Sequence, residues 1–398
     1  MSNTILNDLQ NKTLISFLDM SRWAAAVIVF ISHLRNPLFI SYGSINPEEI
    51  NIAIQIWYFA TGWAGEAVII FFVLSGLLVG ASGYEKINAK KFSISNYFID
   101  RFSRIYVALI PALILTYMLD YFGSTFFSDV GFWNHSHPMI NEKIESVPFD
   151  TKLTFGNFAA NFFMLQHFFF DTLGSNSPLW TISAEFWFYM IFATFAILKL
   201  EQRKSVTALL ILFSLSFLYF FGLDFIILIG YWLVGVFAGA IKVPNIIKPF
   251  YAFLIVLSSL VFSRFFLNSS SASLEIIVTN YIVAISFGLL ILSMRGKEIN
   301  FFIKFASINK FLASFSFSLY LIHFPLMLFM LAILSDLQYF SEISFGYSPT
   351  NLMGLALYFL LIIFVCLFSY IFSLFTEKKT YFFRNWMKEN LLTRNLTK

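Results

Sequence analysis

The sequence has few charged residues and a single cysteine, and each shortage excludes something. Only 12% of the 398 residues are Asp, Glu, Lys or Arg, whereas soluble domains carry about 25%. A chain this poor in charge and 59% hydrophobic is therefore not a soluble globular protein. Because Cys366 is the only cysteine, no intramolecular disulfide can form, and the redox compartment cannot be inferred.

Long apolar runs are present instead, and they predict an all-α polytopic membrane protein. A helix of about 20 apolar residues crosses a bilayer, and the sequence contains about ten such runs. The segment 153–170 is also apolar, but it carries Asn157, Asn161, Gln166 and His167. We interpret it as an interfacial or re-entrant helix rather than an eleventh span. The ten predicted spans are 14–36, 63–83, 98–122, 179–199, 206–222, 224–241, 249–267, 275–294, 310–334 and 352–375.

The distribution of Lys and Arg predicts the topology. These residues are enriched in cytoplasmic loops of membrane proteins, and most of the 26 lie on one side if the N-terminus is cytoplasmic. With ten spans, both termini are then cytoplasmic. The predicted organisation is a cytoplasmic segment 1–13, a membrane domain 14–375 and a basic cytoplasmic tail 376–398. The largest loop, 123–178, faces outside.

Several ionisable residues lie inside the predicted spans, where they are costly and often functional. Arg22 and His33 share one stripe of the first span, roughly 16 Å apart along the helix axis. Arg101 and Arg104 open the third span, and Glu185 lies near the outer end of the fourth. Ser75, Ser183, Tyr320 and His323 are candidate supporting residues in three apolar runs.

These residue types suggest a chemistry. Arg22, Arg101 and Arg104 all lie toward the cytoplasmic side, and three guanidinium groups match the oxygens of phosphates. A bound anion with a long neutral arm would reach the depth of His33. Histidine titrates near neutral pH, so His33 is a candidate general base. Glu185 would orient the imidazole or hold an acceptor.

Each candidate also has a structural interpretation that the sequence leaves open. The arginines can be cations at helix ends that reach toward water, and His33 can be an interfacial residue. Glu185 can pair with Arg35 or cap a helix. His323 can bond to backbone carbonyls freed by Pro325, and Ser75–Gly76 can mark close helix packing.

Five blocks in order resemble the integral-membrane acyltransferase family 3, the O-acyltransferases of bacterial surface polysaccharides. The first is Arg22 followed by His33 after ten intervening residues. The others are similar to further blocks of that family and cover the second, third, fourth and ninth predicted spans. They are Phe71–Leu77, Arg101–Tyr106, Trp180–Glu185 and Ser318–Pro325.

The resemblance implies acyl transfer at the bacterial inner membrane. The donor would be acyl-CoA, usually acetyl-CoA, and the acceptor a hydroxyl of a lipid-linked or polymeric glycan such as O-antigen, capsule or exopolysaccharide. His33 and Glu185 would be catalytic, and Arg22, Arg101 and Arg104 would bind the donor.

We expect a stand-alone form without a fused extracytoplasmic domain. We expect membrane lipid as a partner but no metal and no nucleic acid, and homo-oligomerisation is left open. The alternatives are a transporter or flippase of a lipid-linked sugar, and acyl transfer to peptidoglycan or a small molecule.

Overall fold

A computed structural model shows a helical bundle and confirms the all-α fold class. The structure describes residues 4–138, 140, 147–200, 204–241, 247–269 and 273–392. These ranges contain no β-strand, only two isolated β-bridges. The helices are α1 (Ile5–Asp8), α2 (Lys12–Leu38), α3 (Ile52–Ala60), α4 (Ala64–Ser75), α5 (Ser82–Asn88), α6 (Ile94–Phe126), α7 (Phe155–Phe162), α8 (Leu179–Leu200), α9 (Lys204–Ala240), α10 (Pro249–Ser269), α11 (Ser273–Met294), α12 (Asn300–Ala313), α13 (Ser316–Ser335), α14 (Leu352–Phe375) and α15 (Thr380–Leu392).

The protein is a multi-pass membrane protein. Among the described residues, eight helical stretches are long and apolar enough to cross a bilayer, and α10 contains a shorter apolar helix, Pro249–Phe265. The remaining predicted span, 206–222, corresponds to the first arm of α9, and several of its side chains lie outside the described residues. The two arms of α9 meet at Gly222, whose φ of 73° is accessible because glycine lacks a Cβ.

One predicted boundary was wrong. The helix predicted at 310–334 begins only at Ser316, because the helical conformation is interrupted between α12 and α13. α12 is a separate helix that packs along the first half of α2. Asn309 fixes it there: its side chain accepts a hydrogen bond from Trp23 Nε1 (3.1 Å) and donates one to Ser16 Oγ (2.9 Å).

α4 crosses the second arm of α9 at very short range. A Cβ on Gly76 would lie 1.9 Å from the carbonyl oxygen of Trp232, and a Cβ on Gly235 would lie 1.9 Å from that of Val73. No side chain fits at either position, so this contact accounts for Gly76 as a packing residue. Between α4 and α5 the helix takes a π-helical form over Gly76–Ala81, a geometry often found at functional sites.

The loop 123–178, which is predicted to face outside and which we call the outer loop, is tied to the bundle by a buried carboxylate. Asp120, near the end of α6, accepts hydrogen bonds from Trp133 Nε1 (2.8 Å), Ser175 N (2.7 Å) and Ser175 Oγ (2.8 Å). Within the loop, α7 has eight residues. At about 1.5 Å per residue it measures roughly 12 Å, well short of a bilayer core of about 30 Å.

The C-terminal region packs against the start of α6. A 3-10 turn, Glu377–Lys379, leads into α15. The carboxylate of Asp100 on α6 forms ion pairs with Arg384 Nε at 3.3 Å and with Lys388 Nζ at 3.1 Å. α15 is thereby held beside the residues predicted to bind phosphate.

Candidate active site

A cavity of about 200 Å³ lies among α2, α4, α6, α8 and α13. We call it the arginine cavity, because all three predicted phosphate-binding arginines line it. One wall is apolar and includes Val68, Phe71 and Ile182. The polar and charged residues of the lining are Arg22, Ser75, Arg101, Arg104, Thr181, Glu185, Tyr189, Ser316 and Tyr320.

Two of the three arginines have carboxylate partners. Arg104 lies 3.0 Å from Oε1 of Glu377, which is buried. Arg22 lies 3.8 Å from Asp19, three residues earlier on the same helix. These pairs hold the guanidinium groups in place and partly neutralise them.

Arg101 is different. No carboxylate lies within ion-pair distance of it in the described part of the chain, and its Nε is buried without a hydrogen-bond partner. Its guanidinium group packs over the rings of Tyr189 (5.6 Å) and Tyr97 (6.0 Å). Arg101 therefore carries the least compensated positive charge of the three, as an anion-binding residue would.

Glu185 belongs to the arginine cavity and not to the histidine. Tyr189 donates a short hydrogen bond to its carboxylate. Ser75 Oγ lies 3.3 Å from the Tyr189 hydroxyl and also accepts a hydrogen bond from Trp232 Nε1. Among the described residues, no hydrogen bond or ion pair joins Glu185 to His33 or to Arg35. The structure thus gives no support for Glu185 as the group that orients the imidazole.

His323 is the residue that contacts His33. The distance from His33 Nδ1 to His323 Nε2 is 2.9 Å, and the rings stack with centroids 5.2 Å apart. α2 and α13 run side by side and bring the two residues together across 290 positions of sequence. Spacing along the chain could not reveal this pair.

Backbone carbonyls determine the tautomers of this histidine pair. His323 Nδ1 lies 2.8 Å from the carbonyl oxygen of Tyr320 and 3.1 Å from that of Leu319. A carbonyl only accepts, so the neutral His323 ring carries its proton on Nδ1 and accepts at Nε2. His33 must then donate from Nδ1, which leaves the lone pair of His33 on Nε2. The pair holds His33 in the tautomer that a general base requires.

Tyr320 connects the cavity with the histidine pair. Its side chain lines the arginine cavity, its hydroxyl lies 2.8 Å from Thr181 Oγ1, and its ring centroid is 5.9 Å from that of His323. Tyr320 therefore touches both regions, although neither histidine lines the cavity itself.

Pro325 acts on a different carbonyl from those that bond His323. Proline has no N–H, so the carbonyl of Leu321 lacks its helical donor. Asn176 of the outer loop supplies one instead, with Nδ2 at 2.8 Å. Ser183, another predicted supporting residue, donates to the carbonyl of Met164 in the outer loop at 2.6 Å. Ser183 therefore holds the outer loop and does not line the cavity.

Sequence reasoning missed Glu377 and Tyr189. Glu377 pairs with Arg104 and accepts hydrogen bonds from Ser318 N and Oγ. Glu377 lies within the predicted basic tail 376–398, so the sequence gave no sign that its side chain is buried. Tyr189 follows Glu185 by one helical turn, so the i, i+4 spacing on α8 could have indicated the pair.

The bundle, the cationic cavity and the histidine pair define an integral-membrane protein with a polar site inside the bundle. The family described as "Acyltransferase domain" matches residues 15–374, a range that includes all five sequence blocks. The chain belongs to this acyltransferase family, as the resemblance predicted.

A curated relative is similar over part of the chain. An "O-acetyl transferase" of Shigella phage Sf6 is 30% identical over 200 residues, which cover 50% of this chain and 51% of the phage protein. The match therefore spans about half the length of that relative. No solved structure matches the chain.

Proposed function

We propose that this protein is an O-acyltransferase of the bacterial cytoplasmic membrane. It would move an acyl group, acetyl in the simplest case, from cytoplasmic acyl-CoA to a sugar hydroxyl of a surface polysaccharide. Family membership supports acyl transfer, and the name of the phage relative supports an acetyl group on oxygen. The observation that carries the proposal is a cationic cavity lined by Tyr320, whose ring lies beside His323 of the pair that fixes the base nitrogen of His33.

The arginine cavity suits a phosphorylated donor with a long neutral arm. In this proposal, Arg101 contacts the phosphates directly, since no described carboxylate competes for it. Arg22 interacts with both Asp19 and the donor, and Arg104 interacts with both Glu377 and the donor. The apolar wall formed by residues such as Phe71 and Ile182 then accommodates the pantetheine arm.

His33 is the general base in this proposal. Its Nε2 takes the proton of the acceptor hydroxyl as the oxygen attacks the thioester carbonyl. The C–S bond breaks, the CoA thiolate leaves, and His33 returns the proton to that sulfur. His323 keeps Nδ1 of His33 bonded throughout. General base catalysis of this kind contributes about 10²–10⁴-fold in rate.

We assign Glu185 to the donor side in place of its predicted catalytic role. Its carboxylate faces the same cavity as the arginines and is held by Tyr189. There it lowers the net positive charge and fixes the tyrosine over which Arg101 packs. Ser75 completes this hydrogen-bonded wall.

Purified full-length protein in proteoliposomes tests the proposal. We expect it to bind acetyl-CoA and, with a glycan acceptor, to transfer a radiolabelled acetyl group. We also expect the acetyl NMR resonances of the surface glycan to require the gene. A protein that fails to bind acetyl-CoA but moves a lipid-linked sugar across the bilayer would contradict the proposal. Acetylation of peptidoglycan or of a small molecule would overturn only the choice of acceptor.

A further inference from the structure

A second cavity, of about 220 Å³, adjoins the arginine cavity at the predicted cytoplasmic side. We call it the lysine cavity, because Lys86, Lys91 and Lys388 line it. The two cavities share Leu78, Val79 and Arg101 in their walls. They are therefore neighbours, with one arginine between them.

The lysine cavity has an excess of positive charge. Lys86 and Lys91 are exposed, and neither has an ion-pair partner among the described residues. Lys388, on α15, pairs with Asp100 at 3.1 Å. Together with Arg101, four cations line this cavity and only one carboxylate, Asp100, opposes them.

Arg101 links the charges of the two cavities. It lines both of them, and its buried Nε lacks a hydrogen-bond partner. A molecule with two separated phosphate groups could place one in each cavity and contact Arg101 from either side. Acyl-CoA has this form, since its pyrophosphate and its ribose 3′-phosphate are separate anions joined through one ribose.

We infer that the lysine cavity binds the 3′-phosphate of the CoA donor, with Lys86 and Lys91 as its direct ligands. This inference rests on the proposed function. Lys388 completes the site from α15, which Asp100 holds against α6. The C-terminal helix is thus part of the donor site and not only a tail. The phosphate of an anionic lipid headgroup has the same chemistry, so the test must separate the two sources.

Binding of CoA and of dephospho-CoA, which lacks the 3′-phosphate, tests the inference. Calorimetry would use the full-length protein in phosphatidylcholine nanodiscs. We expect wild type to bind CoA about tenfold more tightly than dephospho-CoA, as for loss of one charged hydrogen-bonding group. The double variant Lys86→Gln/Lys91→Gln should lose this preference and keep its affinity for dephospho-CoA, which also shows that it is folded. Lys90→Gln is the matched control, since Lys90 is an exposed neighbour outside both cavities.

Each other outcome is decisive. If the double variant still prefers CoA, or if it loses both ligands equally, the lysine cavity does not bind the 3′-phosphate. If wild type binds both ligands equally, the inference is also overturned. If wild type binds neither, the proposed function itself fails. In nanodiscs that contain phosphatidylglycerol, loss of bound anionic lipid in the double variant, with CoA preference intact, would assign the cavity to lipid headgroups.

Discussion

The arginine cavity and the histidine pair are both built on helices α2 and α13, yet they differ in the charged groups that they contain. The cavity is lined by three guanidinium groups, two of them matched by carboxylates and one left uncompensated. Among the described residues, the histidine pair hydrogen-bonds only within itself and to backbone carbonyls. The first region is suited to hold an anion, and the second to accept and return a proton. Substitutions should therefore separate donor binding from turnover.

The largest effect is expected from His33→Ala. Loss of the base should lower kcat by about 10²–10⁴-fold, while the Kd for acetyl-CoA stays near that of wild type, since the arginine cavity is intact. Single-turnover assays and calorimetry measure the two quantities. Ser32→Ala is a suitable control, because the Ser32 hydroxyl bonds only to the carbonyl of Ile28 in its own helix (2.8 Å). Normal turnover in His33→Ala would refute the mechanism.

Arg101→Gln should show the opposite pattern. Removal of a charged donor to phosphate costs about 1.5–3 kcal/mol, so the donor Kd should rise roughly 10- to 100-fold with kcat at saturation near wild type. Arg101→Lys, which keeps the charge but not the planar fork, should lie between. Arg35→Gln, near the C-terminal end of α2 and outside both cavities, serves as a control for the donor Kd. An unchanged donor Kd in Arg101→Gln would mean that Arg101 only reaches toward water.

His323→Phe should reduce kcat about tenfold, because His33 Nδ1–H then lacks its acceptor and the base nitrogen is no longer fixed. His323→Gln should recover part of the loss, since an amide oxygen can accept the same hydrogen bond. The donor Kd should not change in either variant. Equal losses in both variants would indicate that His323 serves packing alone.

Glu377→Gln should have the smallest effect on function and a measurable one on stability. Loss of the ion pair to Arg104 should destabilise the protein by about 1–3 kcal/mol, seen as a lower thermal unfolding midpoint. The donor Kd should improve a few-fold, because Arg104 no longer shares its charge with a carboxylate. A weaker donor Kd would show that Glu377 positions Arg104 for binding, and that the pair does not compete with the donor.

The sequence predicted the fold well because bilayer crossing depends on local composition. Long apolar runs indicated the helices, and the turn at Gly222 followed from a Gly and an Asp that interrupt a long apolar run. The break between α12 and α13 was missed, since residues 310–315 contain no Gly or Pro that would mark the end of a helix. The separate packing of α12 against α2, through Asn309 with Trp23 and Ser16, could not be read from that stretch.

For the site, the sequence was a good guide to the candidate residues but a poor guide to the contacts between them. Arg22, Arg101 and Arg104 were predicted to lie on the same side of the membrane, and the structure brings all three into one cavity. The contact between His33 and His323 depends on how α13 packs against α2, and no pattern within either helix encodes that. The hydrogen bond between Glu185 and Tyr189 was not anticipated for the same reason, since depth along a helix does not determine which neighbour a side chain faces.

The hydrogen bond from Asn176 to the carbonyl of Leu321 has a consequence for acceptor choice. It ties the loop 123–178 to α13 two residues before His323 and, together with the contacts of Asp120 and Ser183, holds that loop in a fixed position relative to the base. Related chains could exchange the rest of the loop to accommodate different sugars and still present each hydroxyl at the same distance from the histidine. If the proposed function holds, Pro325, by removing one N–H, would provide a fixed point relative to which acceptor specificity varies independently of catalysis.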